Sequence, residues 1–155
     1  MPSHDDHSDH GGKHHHSPVV TSAHATFHCL IGCIIGEAAG LAIGVALAWG
    51  VAATIALAVV LAYISGFAMA LVPVMKQTGL GLAAAMRVIW LGEAIAIAVM
   101  EIAMNVVDYW LGGIQVASIW NALFWLGLAA AAPAGFFAAW PVNYYLLKHE
   151  LKAGH

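Results

Sequence analysis

Residues 26–49, TFHCLIGCIIGEAAGLAIGVALAW, decide the fold of this chain, because they are long and apolar enough to cross a lipid bilayer as one helix. The hydrocarbon core of a bilayer requires about 20 such residues. The segment nevertheless contains Cys29, Cys33 and Glu37, and a carboxyl group is rare within a membrane span. These side chains are therefore the first candidates for function.

The rest of the chain has the same apolar character. Of its 155 residues, 62% are apolar and 8% are charged, and the mean hydropathy is +0.84. Soluble domains carry about one quarter charged residues, so the composition indicates an integral membrane protein. Four membrane spans are predicted, at about 26–49, 52–75, 82–110 and 120–147.

The spans predict an all-α fold, because a backbone within lipid must satisfy its own hydrogen bonds. We expect a four-helix transmembrane domain over residues 24–155, preceded by a disordered tail over residues 1–23. An even number of spans places both termini on one side of the membrane. That side also collects the basic residues, Lys13, Lys76, Arg87, Lys148 and Lys152. The positive-inside rule then predicts that both termini are cytoplasmic.

The first span carries a polar stripe beside a glycine ladder. At 100° per residue Cys29, Cys33 and Glu37 share one face, and the neighbouring stripe consists of Gly32, Gly36, Gly40 and Gly44. Small residues at this spacing let membrane helices approach closely, so this face is predicted to be buried. Cysteine is small enough to be simple packing there, or it can bind a metal. A carboxyl group at this depth costs a few kcal/mol, so Glu37 indicates function more strongly.

Two histidines, one helical turn apart, precede this stripe. His24 and His28 lie at the expected lipid boundary, where they can pass an ion to Cys29 or serve as interfacial polar residues. Both interpretations stay open from the sequence.

The third span has a second polar face. Its members are Glu93, Met100, Glu101, Met104, Asn105 and Asp108, and the opposite side is apolar. We expect Glu93 to lie at a depth similar to that of Glu37. The spans contain no lysine, so the carboxyl groups must be protonated or hold a cation, which suggests a proton or charge path through Glu37, Glu93, Glu101 and Asp108.

Sulfur ligands add a preference for soft ions, above all Cu(I). The predicted metal ligands of the spans are His24, His28, Cys29, Cys33, Glu37, Met100, Glu101 and Met104. Methionine also commonly fills helical cores, so Met100 and Met104 have an ordinary packing interpretation as well.

The N-terminal tail is rich in histidine and aspartate and is predicted to bind metal. Its candidate ligands are His4, His7, His10, His14, His15 and His16. If Met1 is removed, Pro2, Ser3 and His4 offer four nitrogens in a square plane, which favours Cu(II) or Ni(II). Zinc is a further candidate for the tail.

Four stretches, in this order, resemble one bacterial membrane-protein family, known as domain of unknown function 4396. They are FHCLIGCIIGE, ISGFAMALVPVM, MRVIWLGEAIAIAVMEIAMNVVDYWLGG and PAGFFAAWPVNYYLLKHELK. The resemblance covers residues 26–150. It implies a four-helix fold in the bacterial inner membrane and does not specify an activity.

The sequence favours a protein that binds a transition metal, most of all copper, and carries it across the membrane or holds it for a partner. The expected partners are the lipid bilayer, the metal ion, and a metallochaperone or a second copy of the chain. No organic cofactor is expected, and the sequence has neither an enzyme signature nor a basic surface for nucleic acid. Two alternatives remain: a proton-coupled transporter of a small solute that uses the buried carboxyl groups, and a non-catalytic scaffold whose glycine ladder binds another chain.

Overall fold

The computed structural model describes residues 18–116 and 118–149, excluding the side chains of Pro18 and Gln77, and this part of the chain forms four long helices. They are α1 (Pro18–Ala46), α2 (Val51–Thr78), α3 (Leu82–Leu111) and α4 (Ala122–Lys148). Each is long and apolar enough to cross a membrane. The predicted all-α, four-helix membrane fold is confirmed for the described residues.

The first helix starts earlier than its predicted span. It begins at Pro18 rather than near residue 26, so residues 18–23 belong to the helix and not to the tail. Proline suits a first helical turn, and the Thr26 hydroxyl donates to the Ser22 carbonyl oxygen at 2.8 Å. The other helix ends agree with the predicted ones to within three residues. Residues 1–17, which include the tail histidines and the terminal Pro2-Ser3-His4 motif, lie outside the described residues.

The helices run alternately up and down around a common centre. α1 packs against α2 and α4, and α3 packs against the same two helices. Therefore α1 and α3 face each other diagonally and run in the same direction. We call the end where α1 begins the near end of the bundle and the opposite end the far end.

The glycine ladder of α1 is the contact surface for α2. A Cβ atom at Gly36 would overlap the Leu61 carbonyl oxygen and Ser65 Oγ, and one at Gly40 would overlap the backbone of Ala58. Ser65 Oγ lies 2.6 Å from the Gly32 carbonyl oxygen, to which it can donate across the two helices. The predicted burial of this face is confirmed. Its partner is α2 of the same chain, so this ladder is already covered within the monomer.

The two ends of the bundle differ in side-chain chemistry. Lys76, Arg87 and Lys148 lie at the near end, in the last turn of α2, the second turn of α3 and the last turn of α4. Exposed aromatic residues lie at both ends: Trp49, Tyr109, Trp110 and Trp120 at the far end, and Tyr144 and Tyr145 at the near end. Tryptophan and tyrosine favour the boundary between lipid and water, which agrees with a transmembrane bundle.

Candidate functional site

The inner face of α1 is a continuous row of polar and sulfur-bearing side chains. Ser22, Thr26, Cys29, Cys33 and Glu37 are all buried. Their spacing of three or four residues keeps them on one side of the helix, where they point toward the bundle interior. The row starts at the near end and reaches the middle of the bundle.

Both cysteines are free thiols and are neighbours. Cys29 is 2% exposed and Cys33 is fully buried. The two side chains interact with each other, and the Cys33 thiol also lies beside the carboxyl group of Glu101 on α3. The site therefore combines two sulfur donors with a carboxyl group from the diagonal helix.

Three carboxyl groups lie in the interior. Glu37, Glu101 and Asp108 are 0%, 3% and 1% exposed. Within residues 18–116 and 118–149, neither oxygen of Glu37 and neither oxygen of Asp108 has a hydrogen-bond partner. Glu101 Oε2 accepts a hydrogen bond from Asn105 Nδ2 at 3.3 Å. Among the described residues, Glu37 and Asp108 therefore lack the donors that normally satisfy a carboxylate.

The acids also repel each other when ionised. Glu37 experiences the charges of both Glu101 and Asp108. The basic residues Lys76 and Lys148, by contrast, lie in terminal turns at the near end. An uncompensated charge at this depth costs about 3 kcal/mol, so Glu37 and Asp108 are stable in the bundle only with bound protons or a cation, whereas Glu101 has Asn105 and Cys33 as neighbours when it is ionised.

Glu93 lies at a different depth from the one expected. It is buried, but its neighbour one turn later, Ile97, packs beside Gly66 at the level of Cys33. Since α1 and α3 run in the same direction, Glu93 lies about two turns, or about 11 Å, nearer the near end than Glu37. The expectation of equal depth was wrong, because the register between two helices is set by packing and not by either sequence.

Met100 and Met104 are fully buried and belong to the same core cluster as the two thiols. Their side chains occupy the space that a Cβ atom at Gly135 of α4 would need. They therefore fill the core between α3 and α4, as the packing interpretation expects. Their role as metal ligands stays a prediction.

His24 and His28 lie on the outside of α1. Both are exposed, and their ring centroids are 6.2 Å apart. His24 lines an apolar groove between α1 and α4 together with Phe27 and Trp140. The structure does not bring these imidazoles together with the buried thiols.

The described residues also limit the number of ligands that a bound metal ion could have. Within residues 18–116 and 118–149, no three side chains of the histidine, cysteine, aspartate and glutamate types are grouped closely enough to hold a metal ion. A metal bound at the thiols in this arrangement would have two sulfur ligands, or would draw on a methionine sulfur.

Sequence reasoning missed a hydrogen-bonded junction at the near end. Asn143 Nδ2 donates to Thr26 Oγ1 at 2.8 Å, and Trp140 Nε1 donates to Ser22 Oγ at 3.1 Å. These bonds join α4 to the start of the polar row on α1. The sequence did contain a signal for this junction, because Thr26 and Ser22 lie one and two turns before Cys29 on the same face of the helix.

Comparison with protein families identifies the chain. The model of the family Domain of unknown function (DUF4396) matches residues 20–152. The chain belongs to this family. The resemblance of the four sequence stretches is thereby confirmed for this DUF4396 protein. No curated protein and no solved structure matches it.

Proposed function

We propose that this DUF4396 protein binds Cu(I) inside the membrane through Cys29 and Cys33, and that it transports the ion or holds it for a partner. The observation that carries the proposal is the pair of adjacent buried thiols beside Glu101. Thiolates favour Cu(I) over harder ions. Cu(I) also accepts as few as two sulfur ligands, so the absence of a larger ligand group within residues 18–116 and 118–149 is compatible with this ion.

Charge balance favours a role for the neighbouring carboxyl group. When two thiols bind one Cu(I) as thiolates, two protons are released. If an ionised Glu101 accepts one of them and the other leaves the site, the interior gains one positive ion and loses one proton. Its net charge is then unchanged, which avoids the large penalty of charging a membrane interior. Glu37 and Asp108 offer further proton positions along the same interior.

The orientation that we propose in the membrane follows from the distribution of basic residues. With the near end in the bacterial cytoplasm, both termini are cytoplasmic and the basic residues lie on the inner side. The histidine tail would then collect metal on that side, and copper would be exchanged with a metallochaperone or a second copy of the chain. Zinc or nickel would compete with copper for the tail.

The test is a competition titration with a chromogenic Cu(I) chelator on the full chain in detergent, without oxygen. Replacing the six tail histidines by asparagine removes the tail ligands, and the remaining binding should be near one equivalent. Adding Cys29→Ala and Cys33→Ala should reduce the Cu(I) affinity at least about 100-fold, since both sulfur ligands are lost. Circular dichroism and thermal unfolding show whether each variant is folded. Full Cu(I) affinity in a folded variant without thiols would refute the proposal.

A second candidate is a proton-coupled transporter of a small solute. The observation that favours it is that all four carboxyl oxygens of Glu37 and Asp108 lack a hydrogen-bond partner among the residues that the structure describes. In proteoliposomes containing a pH-sensitive dye, this candidate predicts proton movement that is lost in Glu37→Gln and retained in the Cys29→Ala, Cys33→Ala variant. Proton movement that depends on copper and on both thiols would instead favour the copper proposal.

A further inference from the structure

The carboxyl group of Asp108 is enclosed by glycine backbone at the far end of the bundle. α3 ends at Leu111, and Gly112 follows with φ 80°, a conformation that glycine adopts without strain. The Gly113 amide then donates to the Asp108 carbonyl oxygen at 3.0 Å. The connection to α4 therefore turns back over the last turn of α3.

Two glycines form the enclosure. Asp108 Oδ1 lies against Gly113 of the connection and against Gly127 of α4, and a Cβ atom at either position would overlap this oxygen. A Cβ atom on Gly127 would also lie only 3.0 Å from Gly113 Cα, so the two backbones are in close contact over the carboxyl group. We call Asp108, Gly113 and Gly127 the glycine cradle.

An ionised carboxylate does not suit this cradle. Asp108 is 1% exposed, and neither of its oxygens has a hydrogen-bond partner within the part of the chain that the structure describes. It also lies at the carboxyl end of α3, where the helix dipole opposes a negative charge. The acid that faces it from α1 is Glu37, and Glu101 lies two turns earlier on its own helix. From the connection and from α4, the backbone of Gly113 and Gly127 lies against Oδ1.

The glycine cradle has room for a proton on Asp108 but little room for a metal ion. The glycines lie directly against the carboxyl oxygen, so the closed arrangement leaves little space on that side for a metal ion with its other ligands. A proton requires no such space, and it removes the charge.

We propose that Asp108 is a proton-binding site whose occupancy closes the far end of the bundle. The protonated carboxyl fits the glycine cradle. Loss of the proton expels the ionised side chain from the cradle, displaces the connection at residues 112–116 and opens the interior to that side of the membrane. This inference goes beyond the copper proposal and does not depend on it.

The experiment uses the full chain in lipid nanodiscs without copper. Amide hydrogen exchange of residues 112–116 is compared between the wild type and Asp108→Asn at the same pH, so that the intrinsic pH dependence of exchange cancels. Asparagine is neutral and nearly isosteric, and it should keep the connection closed. The wild-type rate relative to this variant should be near 1 in acid and should rise by up to about tenfold per pH unit over the range in which the proton is lost.

Infrared difference spectroscopy detects the protonation state of the Asp108 carboxyl group directly. The wild type should lose a protonated carboxyl band over the same pH range in which exchange accelerates, and this component should be absent from Asp108→Asn. Glu93→Gln is the matched control, since it removes a different buried carboxyl group of α3, and it should retain both the band and the acceleration.

Two results would overturn the proposal: a wild-type to Asp108→Asn exchange ratio that stays constant with pH, or a carboxyl titration that is identical in the two proteins. Gly127→Ala provides a second test that does not require Asp108→Asn to fold. Its methyl group fills the cradle, so residues 112–116 should exchange rapidly even in acid, and slow exchange there would contradict the proposal. Because no copper is present, none of these outcomes decides the copper titration.

Discussion

The thiol of Cys33 and the carboxyl group of Glu101 lie side by side across the centre of the bundle, one on α1 and the other on α3. These helices are diagonal to each other, so the contact is in the interior rather than at a helix-helix seam. A metal-binding thiol must lose its proton, and this neighbour is placed to receive it. This contact brings together metal binding by thiols and proton binding by carboxyl groups, which the sequence suggested separately.

Glu101→Gln should change the number of protons released when Cu(I) binds. The wild type is expected to release one proton, because Glu101 retains the second, and its Cu(I) affinity should rise about tenfold per pH unit. The glutamine variant cannot accept a proton and should release two, so its affinity should rise about 100-fold per pH unit. Competition titrations at several pH values measure both slopes. Equal slopes would exclude Glu101 as the proton acceptor.

Gly36→Ser should destabilise the bundle strongly. A Cβ atom at this position overlaps the Leu61 carbonyl oxygen, which is backbone and cannot rotate away. We expect a loss of about 3 kcal/mol or more in the free energy of unfolding, measured by thermal or denaturant unfolding in detergent. Gly81→Ser is the control, because a Cβ atom there meets nothing within 4 Å and serine suits a helix N-cap. Similar stability of the two variants would contradict the close α1–α2 contact.

Glu37→Gln should leave the fold equally stable or stabilise it, unlike most changes at a fully buried position. The ionised carboxylate has no partner for either oxygen among the described residues, and removing its charge is worth up to about 3 kcal/mol. The gain should grow as pH rises, because only the ionised form carries this penalty. Leu41→Ala, one turn further along α1, should instead lose about 2 to 5 kcal/mol at every pH. Unfolding free energies measured across pH test this contrast, and a glutamine variant that is less stable at high pH would refute it.

Thr26 and Asn143 should be coupled energetically. Their side chains share a buried hydrogen bond of 2.8 Å between α1 and α4. A double-mutant cycle with Thr26→Val and Asn143→Leu should give a coupling energy of about 0.6 to 1.7 kcal/mol, the range found for such bonds within membranes. The same cycle on Thr26→Val with Leu128→Ala serves as a control and should give additive effects. Additive effects in the first cycle would mean that this bond contributes nothing to stability.

The sequence predicted the faces of the helices well, because a helical period fixes which side chains share a side. The burial of Cys29, Cys33 and Glu37 and the outward position of Ile102 on α3 both follow from this period. The start of α1 was less predictable. In the sequence, residues 18–23 look like part of a polar tail. In the structure they are helical, and Ser22 accepts a hydrogen bond from Trp140, 118 residues later.

Contacts between helices could not be read from the sequence in the same way. The glycine ladder predicted a close helix partner, but nothing in the pattern distinguishes α2 from another chain. The depth of Glu93 depends on the register of α3 against α1. The glycine cradle combines a helix end, a turn and a second helix, so its three residues become a group only when the chain is folded.

X-ray absorption spectroscopy at the copper edge, on the full chain loaded with one equivalent of Cu(I), tests copper binding by the buried thiols most directly. We expect a coordination shell of two sulfur atoms, and this sulfur signal should disappear in the folded Cys29→Ala, Cys33→Ala variant. A shell of nitrogen and oxygen ligands that is unchanged in that variant would contradict it, because copper would then be bound outside the buried thiol pair.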